Sequence, residues 1–203
     1  MQPTSSARLV LASSSPARAA LLRQAGLDPL VRPVRIDEDA LRKALIAEGS
    51  SADDLAALLA EAKARRGAGR DPQALVIGAD QILECDGRIF AKPADPAEAC
   101  KQIAALSGRT HQLLSAAVVC QGATALWRHT ARVRLTMHPL DPAEIAEYVA
   151  RHWPAIAGCV GAYRIEAEGV RLFSRIEGDY FAILGLPLIE LLTWLRNRGD
   201  IAA

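Results

Sequence analysis

Three serines, a proline, an alanine and an arginine, Ser13 to Arg18, form the first stretch of the chain whose residue types could handle an anion. Hydroxyls and backbone N–H groups gather at the open start of a helix. Pro16 removes a donor that has no partner there, and the helix dipole adds partial positive charge. Arg18 falls in the first turn, where that dipole opposes a cation by up to about 1 kcal/mol unless an anion is shared between them. The same residues also read as an ordinary Ser-Pro cap followed by an exposed arginine.

Asp80 stands just past the apolar strand Leu75 to Ile77, at the carboxyl end where α/β sheets place their ligands. Asp86-Gly87 is a hairpin turn. Pairing outward from it sets Cys85 opposite Arg88, Leu83 opposite Phe90 and Gln81 opposite Lys92, which makes Asp80 and Lys92 neighbours. Strict alternation would turn those two to opposite faces, so a shared site requires the strand to end or bulge near Gly78 to Asp80. Otherwise they form a surface ion pair at a hairpin base. Asp37, Glu38 and Asp39 could hold a divalent cation through carboxylate oxygens or could be a solvated loop and helix start. His111 is open between a site role and core or strand-end hydrogen bonding.

These residues need elements to hold them. Leu9 to Ala12 is a short strand, and Pro16 to Ala25 a helix that Gly26 stops. A helix from about Ala52 to Arg66, capped by Ser51, carries Leu55, Leu58, Leu59 and Ala62 on one face, with Lys63 near its buried edge. Asp95-Pro96-Ala97-Glu98 and Asp141-Pro142-Ala143-Glu144 each open a helix with an N-cap, a proline at N1 and a capping-box glutamate. Between those helices lie strands at about Gln112 to Cys120 and Ala123 to Met137, and Pro187 to Arg198 is a closing helix. The glycine-dense segment Gly158 to Gly185 carries strand-like residues between sheet corners or ligand-approaching turns. Strands and helices mix throughout, which is the pattern of an α/β fold in a single domain spanning residues 1–203.

Composition narrows the partners. Lys plus Arg (24) balance Asp plus Glu (23), leaving no overall field for a nucleic-acid backbone or an anionic membrane, so any anion site is local. The four cysteines form no CxxC pair and the four histidines show no metal-ligand spacing. With no signal-length or membrane-length apolar run, the chain reads as a protein of the reducing cytosol.

The blocks "LASSSPAR", "IDE", "EAKA", "GADQ", "AKP", "LSGRTH", "GAYRIEAEG", "IEGDY" and "LGLP" occur in that order from about Leu9 to Pro187. In their order and spacing the chain resembles the Maf family of nucleoside triphosphate pyrophosphatases, also named septum formation inhibitors. The resemblance implies an elongated mixed sheet flanked by helices, two lobes with a cleft between them, and a homodimer. It also implies Mg²⁺- or Mn²⁺-dependent cleavage of a nucleoside triphosphate to its monophosphate and pyrophosphate. By motif, Ser13, Ser15 and Arg18 would bind the triphosphate, and Lys63 and Lys92 would neutralise phosphate charge. Asp80 and Glu38 would serve the metal and the attacking water, with Asp80 as general base. A nucleotide-binding regulator of septation without turnover is the competing reading.

The resemblance has a finer grain. Where the family's pyrimidine-preferring branch has GADT, an Asp-Lys pair and Gly-Ile-Gln-Gly, this chain has "GADQ", Gly158-Cys159 and "RIEA". Gln81, Cys159 and Glu166 are similar to the branch acting on 7-methylguanosine triphosphate, and a carboxylate at Glu166 could accept from guanine N–H groups. Ala17 departs from the bulky aromatic frequent in that branch, which also lacks the "GDY" of Gly178 to Tyr180.

Overall fold

Leu75 to Cys85 is a run of eleven residues whose side chains are almost all buried, and it forms the strand around which the molecule is arranged. A computed structural model describes residues 8–202. In chain order the elements are β1 (Leu9–Leu11), α1 (Pro16–Gln24), β2 (Leu30–Val31), α2 (Glu38–Ala47), α3 (Ala52–Ala68), β3 (Leu75–Cys85), β4 (Arg88–Phe90) and α4 (Pro96–Leu106). There follow β5 (Thr110–Gln121), β6 (Thr124–Met137), α5 (Pro142–His152), 3₁₀ turns at Val160–Ala162 and Glu168–Leu172, β7 (Phe173–Glu177), α6 (Tyr180–Ile183) and α7 (Leu188–Arg198). Among the described residues no helix is long and apolar enough to cross a membrane.

The sheet is mixed. Its strands run in the order β2-β1-β3-β5-β6-β7, with β4 pairing β3; β1 is parallel to β2 and β3, and the remaining pairs are antiparallel. Helices cover both faces. Val76 and Ile82 of β3 pack with Leu55, Leu59, Ala60 and Ala64 of α3. On the opposite face, Leu75, Ile77 and Ala79 pack with Leu21 and Leu22 of α1 and Leu188, Leu191 and Leu195 of α7. Farther along that second face, Leu83 and Cys85 belong to a separate core with Ile103 and Leu106 of α4 and Ile145 and Val149 of α5. The change from one helical group to the other falls at Gln81.

Contrary to the expectation of a break near Gly78, β3 runs unbroken through Gly78 and Asp80. What makes room is its other edge. β5 pairs β3 continuously from Val76 to Glu84, whereas β1 covers only Leu75 to Ile77 and β4 only Leu83 to Cys85. Residues 78–82 therefore present an edge that no described strand covers. The predicted hairpin pairs Cys85 with Arg88 and Leu83 with Phe90, but the ladder stops there, so Gln81 and Lys92 are not paired and Lys92 is released from strand alternation.

The helix starts follow their sequence signals with one variation. α5 has the full capping box, with Glu144 Oε2 accepting from the Asp141 N–H at 2.8 Å. In α4 the corresponding Glu98 reaches one residue farther and accepts from the Ala94 N–H. The glycine-dense segment gives two 3₁₀ turns, one strand and a short helix rather than a run of strands. Its amides bond locally, Ala162 N–H to Cys159 O, Ala167 N–H to Arg164 O and Val170 N–H to Ala167 O, leaving few groups for a ladder.

Candidate active site

The uncovered edge of β3 opens into a cleft of about 640 Å³. Ser13 to Arg18 approach it from the start of α1, Glu38 and Arg42 from α2, Lys63 from α3 and Lys92 from beyond β4. Cys159, Tyr163 and Glu166 close it from the glycine-dense segment. All ten site residues singled out by the sequence, Ser13, Ser15, Ala17, Arg18, Glu38, Lys63, Asp80, Gln81, Lys92 and Glu166, line this one cleft.

Asp80 and Lys63 meet because β3 and α3 touch backbone to backbone. A Cβ at Gly78 would lie 2.2 Å from Ala60 O and 2.4 Å from Ala64 N, so only glycine lets the helix come this close. Two residues on, the same face of β3 directs Asp80 at α3. There Lys63 Nζ lies 2.6 Å from Asp80 Oδ1 and 3.1 Å from Glu38 Oε2. Asp80 and Lys63 are buried while Glu38 is partly exposed. The other carboxylate oxygen of Asp80, Oδ2, is buried without a hydrogen-bond partner among the described residues.

The serine loop is tightly wired. Ser15 caps α1, its Oγ accepting from the Arg18 N–H at 3.3 Å. Ser13 Oγ accepts from the Ser15 N–H and from Arg18 Nη1, both at 3.2 Å, so both lone pairs are used and its hydroxyl hydrogen is free to donate. Arg18 is 9 % exposed and braces three segments: Nε donates to Gly185 O at 2.7 Å, and Nη1 also donates to Ala79 O at 3.0 Å. Ala79 O belongs to the uncovered edge of β3. Carbonyl oxygens thus already offset the clash between Arg18 and the helix dipole. Burial lowers the guanidinium pKa, Asp80 and Glu38 oppose that shift, and an arginine remains charged throughout. A Cβ at Gly185, whose φ is +95°, would meet Arg18 Nε and Nη2 at 3.2 Å. Glycine there serves the brace.

Gln81 projects from the other face of β3. Its Nε2 lies 2.9 Å from Ser115 Oγ, 3.1 Å from Ala182 O and 2.9 Å from Ile183 O. Two carbonyl oxygens can only accept, so they fix the amide orientation with nitrogen toward α6. Glu166 Oε1 accepts from Arg164 Nε at 2.9 Å, a partner that sequence reasoning missed; the two lie in a turn, two residues apart, where spacing gives no sign of pairing. Arg42 was also missed. Its place one helical turn after Glu38 was the available signal. Burial pushes the Cys159 thiol pKa up, which disfavours a nucleophilic thiolate in the cleft.

Among the described residues no group of three or more His, Cys, Asp or Glu side chains is arranged to hold a metal ion by itself. The residues nevertheless fit Mg²⁺ or Mn²⁺. Asp80 Oδ2 is a hard oxygen donor with no protein partner, Glu38 shares Lys63 with it, and Mg²⁺ ordinarily takes one or two carboxylates plus phosphate oxygens and water.

A family model described as Maf-like protein matches residues 8–198. The chain belongs to the Maf-like family. Among similar members is the Roseobacter denitrificans protein named nucleoside triphosphate pyrophosphatase, 49 % identical over 95 % of this chain and 97 % of its own length. The Jannaschia protein named nucleoside triphosphate pyrophosphatase 1 is 50 % identical over 96 % of this chain and 98 % of its own. The Mesorhizobium japonicum protein named 7-methyl-GTP pyrophosphatase is 48 % identical over the same shares. Members bearing the two names are thus about equally similar, and overall identity does not separate their substrates.

Proposed function

We propose that the chain is a nucleoside triphosphate pyrophosphatase that releases a nucleoside monophosphate and pyrophosphate by attack of water on the α-phosphorus. One observation carries this reading: Asp80, a buried carboxylate whose Oδ2 has no partner among the described residues, lines a cleft that also gathers the start of α1 and the cations Lys63 and Lys92. Asp80 orients the water and takes its proton as the water oxygen bonds to the α-phosphorus. The bond from phosphorus to the bridging oxygen breaks, and its electron pair leaves with pyrophosphate. Lys63 holds Asp80 and Glu38 in place through its two short contacts. Ser13 donates its hydroxyl to a phosphate oxygen, Ser15 sets the helix start, and Lys92, exposed and outside the ladder, meets the developing charge. Arg18 positions this loop and offers Nη2 to the substrate. Asp80 and Glu38 would hold Mg²⁺ or Mn²⁺, which supplies positive charge to phosphate oxygens and acidifies a bound water.

The base lies against the opposite bank. Gln81, its nitrogen committed to α6, presents Oε1 to the cleft, and Glu166 keeps Oε2 beside its pair with Arg164. Two acceptors suit guanine N–H groups, and the carboxylate favours the positive charge of 7-methylguanine. Ala17 leaves the near wall small. Equal turnover of UTP, dTTP and 7-methylguanosine triphosphate would remove this preference. The working form is a cytoplasmic homodimer. In support, residues 124–133 of β6 have an edge that no described strand pairs, and all four cysteines are free. A one-chain mass by light scattering, or recovery in a membrane fraction, would remove that part.

The test is a panel of normal and modified nucleoside triphosphates with Mg²⁺ or Mn²⁺, run on the wild type and Asp80→Asn. Pyrophosphate from the wild type and a loss of at least ~10²-fold in the variant are expected. Unchanged turnover in Asp80→Asn takes Asp80 out of its role.

A further inference from the structure

The cations of the cleft are not equally free to meet a polyanion. Lys63 is matched by Asp80 and Glu38, and Arg18 spends Nε and Nη1 on protein acceptors. Among the described residues that leaves Lys92 and Arg42 without an ion pair. Arg42 follows Glu38 by four residues and Asp39 by three on α2, the two spacings at which a helix brings an arginine to a carboxylate. It takes neither partner: Glu38 turns to Lys63, and Asp39 forms no ion pair among the described residues. Arg42 Nε is buried without a hydrogen-bond partner among the described residues, although the side chain lines the cleft. An unmade donor on a permanently charged group is costly to bury, and an anion in the cleft satisfies it.

We propose that Arg42 is a substrate-binding residue that grips the β- and γ-phosphates, the half of the substrate that leaves as pyrophosphate. This rests on the pyrophosphatase reading and deepens it. Asp80, Lys63 and Glu38 form one chain of contacts, which places the attacked α-phosphorus beside them. Glu166 and Gln81 hold the base on the far bank. The remaining phosphates then run toward α1 and α2, and Arg42 lies one helical turn, about 6 Å, along α2 from Glu38. A guanidinium there makes forked hydrogen bonds to a diphosphate and disperses the charge that the leaving group gains.

The test is calorimetric binding of inorganic pyrophosphate and of the nucleoside monophosphate to the wild type, Arg42→Ala and Arg42→Met. The methionine keeps the apolar stem should alanine disturb α2. Pyrophosphate binding is expected to weaken at least ~10-fold in both variants, with monophosphate binding unchanged and thermal midpoints near that of the wild type. Unchanged pyrophosphate binding, equal weakening of both products, or no pyrophosphate binding by the wild type overturns the proposal. Pyrophosphate release from triphosphate by the wild type is measured alongside. Its failure removes the pyrophosphatase reading itself, whatever Arg42 does.

Discussion

Lys63 and His111 are both buried polar residues, but only Lys63 lines the cleft, and their partners differ. Lys63 has two carboxylates within 3.1 Å, Asp80 and Glu38, and under the proposed function it holds Asp80 in place. Among the described residues His111 has only the Tyr163 hydroxyl, 2.8 Å from Nε2, with Nδ1 buried and unpartnered. The rings of Tyr163 and Phe173 pack against it, and desolvation lowers its pKa to about 4. Tyr163, whose pKa burial raises well above the usual value, does not titrate in acid. His111 is therefore a neutral residue behind Tyr163 at neutral pH, and it does not itself line the cleft. The unfolded chain binds a proton at this histidine near pH 6.5, while the folded chain binds it only near pH 4. Stability consequently falls as pH drops through that window, by on the order of 3 kcal/mol from this group. In His111→Phe, urea unfolding at pH 7 and pH 4 is expected to show a loss between the two smaller than that of the wild type by about that amount. An equal loss in both proteins contradicts it. The residue types and order of the site were legible in sequence. The partners of Arg18 were not, because Gly185 and Ala79 reach it as backbone carbonyls from distant segments.

At the scale of elements, the site depends on three strands that meet imperfectly. Strict alternation turns Asp80 and Lys92 to opposite faces, a conflict that a break in β3 would relieve. The chain instead keeps β3 whole and shortens its neighbours, so β1 ends at Leu11 and β4 at Phe90. Such an edge is hard to read in advance, since no local residue pattern marks where a partner strand stops. Helix starts were more legible because Asp95 and Asp141 cap within their own first turns. The approach of α3 to β3 sets the position of the Lys63–Asp80 pair, and it depends on Gly78. Gly78→Ala would press a methyl into the Ala60 carbonyl and the Ala64 amide, backbone groups that cannot rotate away. A loss of about 2 kcal/mol or more in urea unfolding is expected, together with reduced turnover. A variant with unchanged stability would show that α3 yields freely and that this contact does not set the pair.

On the scale of the whole molecule, one continuous sheet serves two helical groups, and the place where the cores on one face change over is the place where the opposite edge of β3 lies open. Near-zero net charge leaves the attraction for a polyanion to the cleft, where Arg42 and Lys92 add to the helix start. The alternating strand and helix signals conveyed the fold class. The arrangement of the cores and the local turns of the glycine-dense segment required the tertiary contacts. The central claim concerns which phosphorus the water attacks, and hydrolysis in water enriched in heavy oxygen reads that directly by mass spectrometry of the products. Heavy oxygen is expected in the nucleoside monophosphate and none in the pyrophosphate. Heavy oxygen in pyrophosphate, or release of labelled orthophosphate with a nucleoside diphosphate, would contradict it.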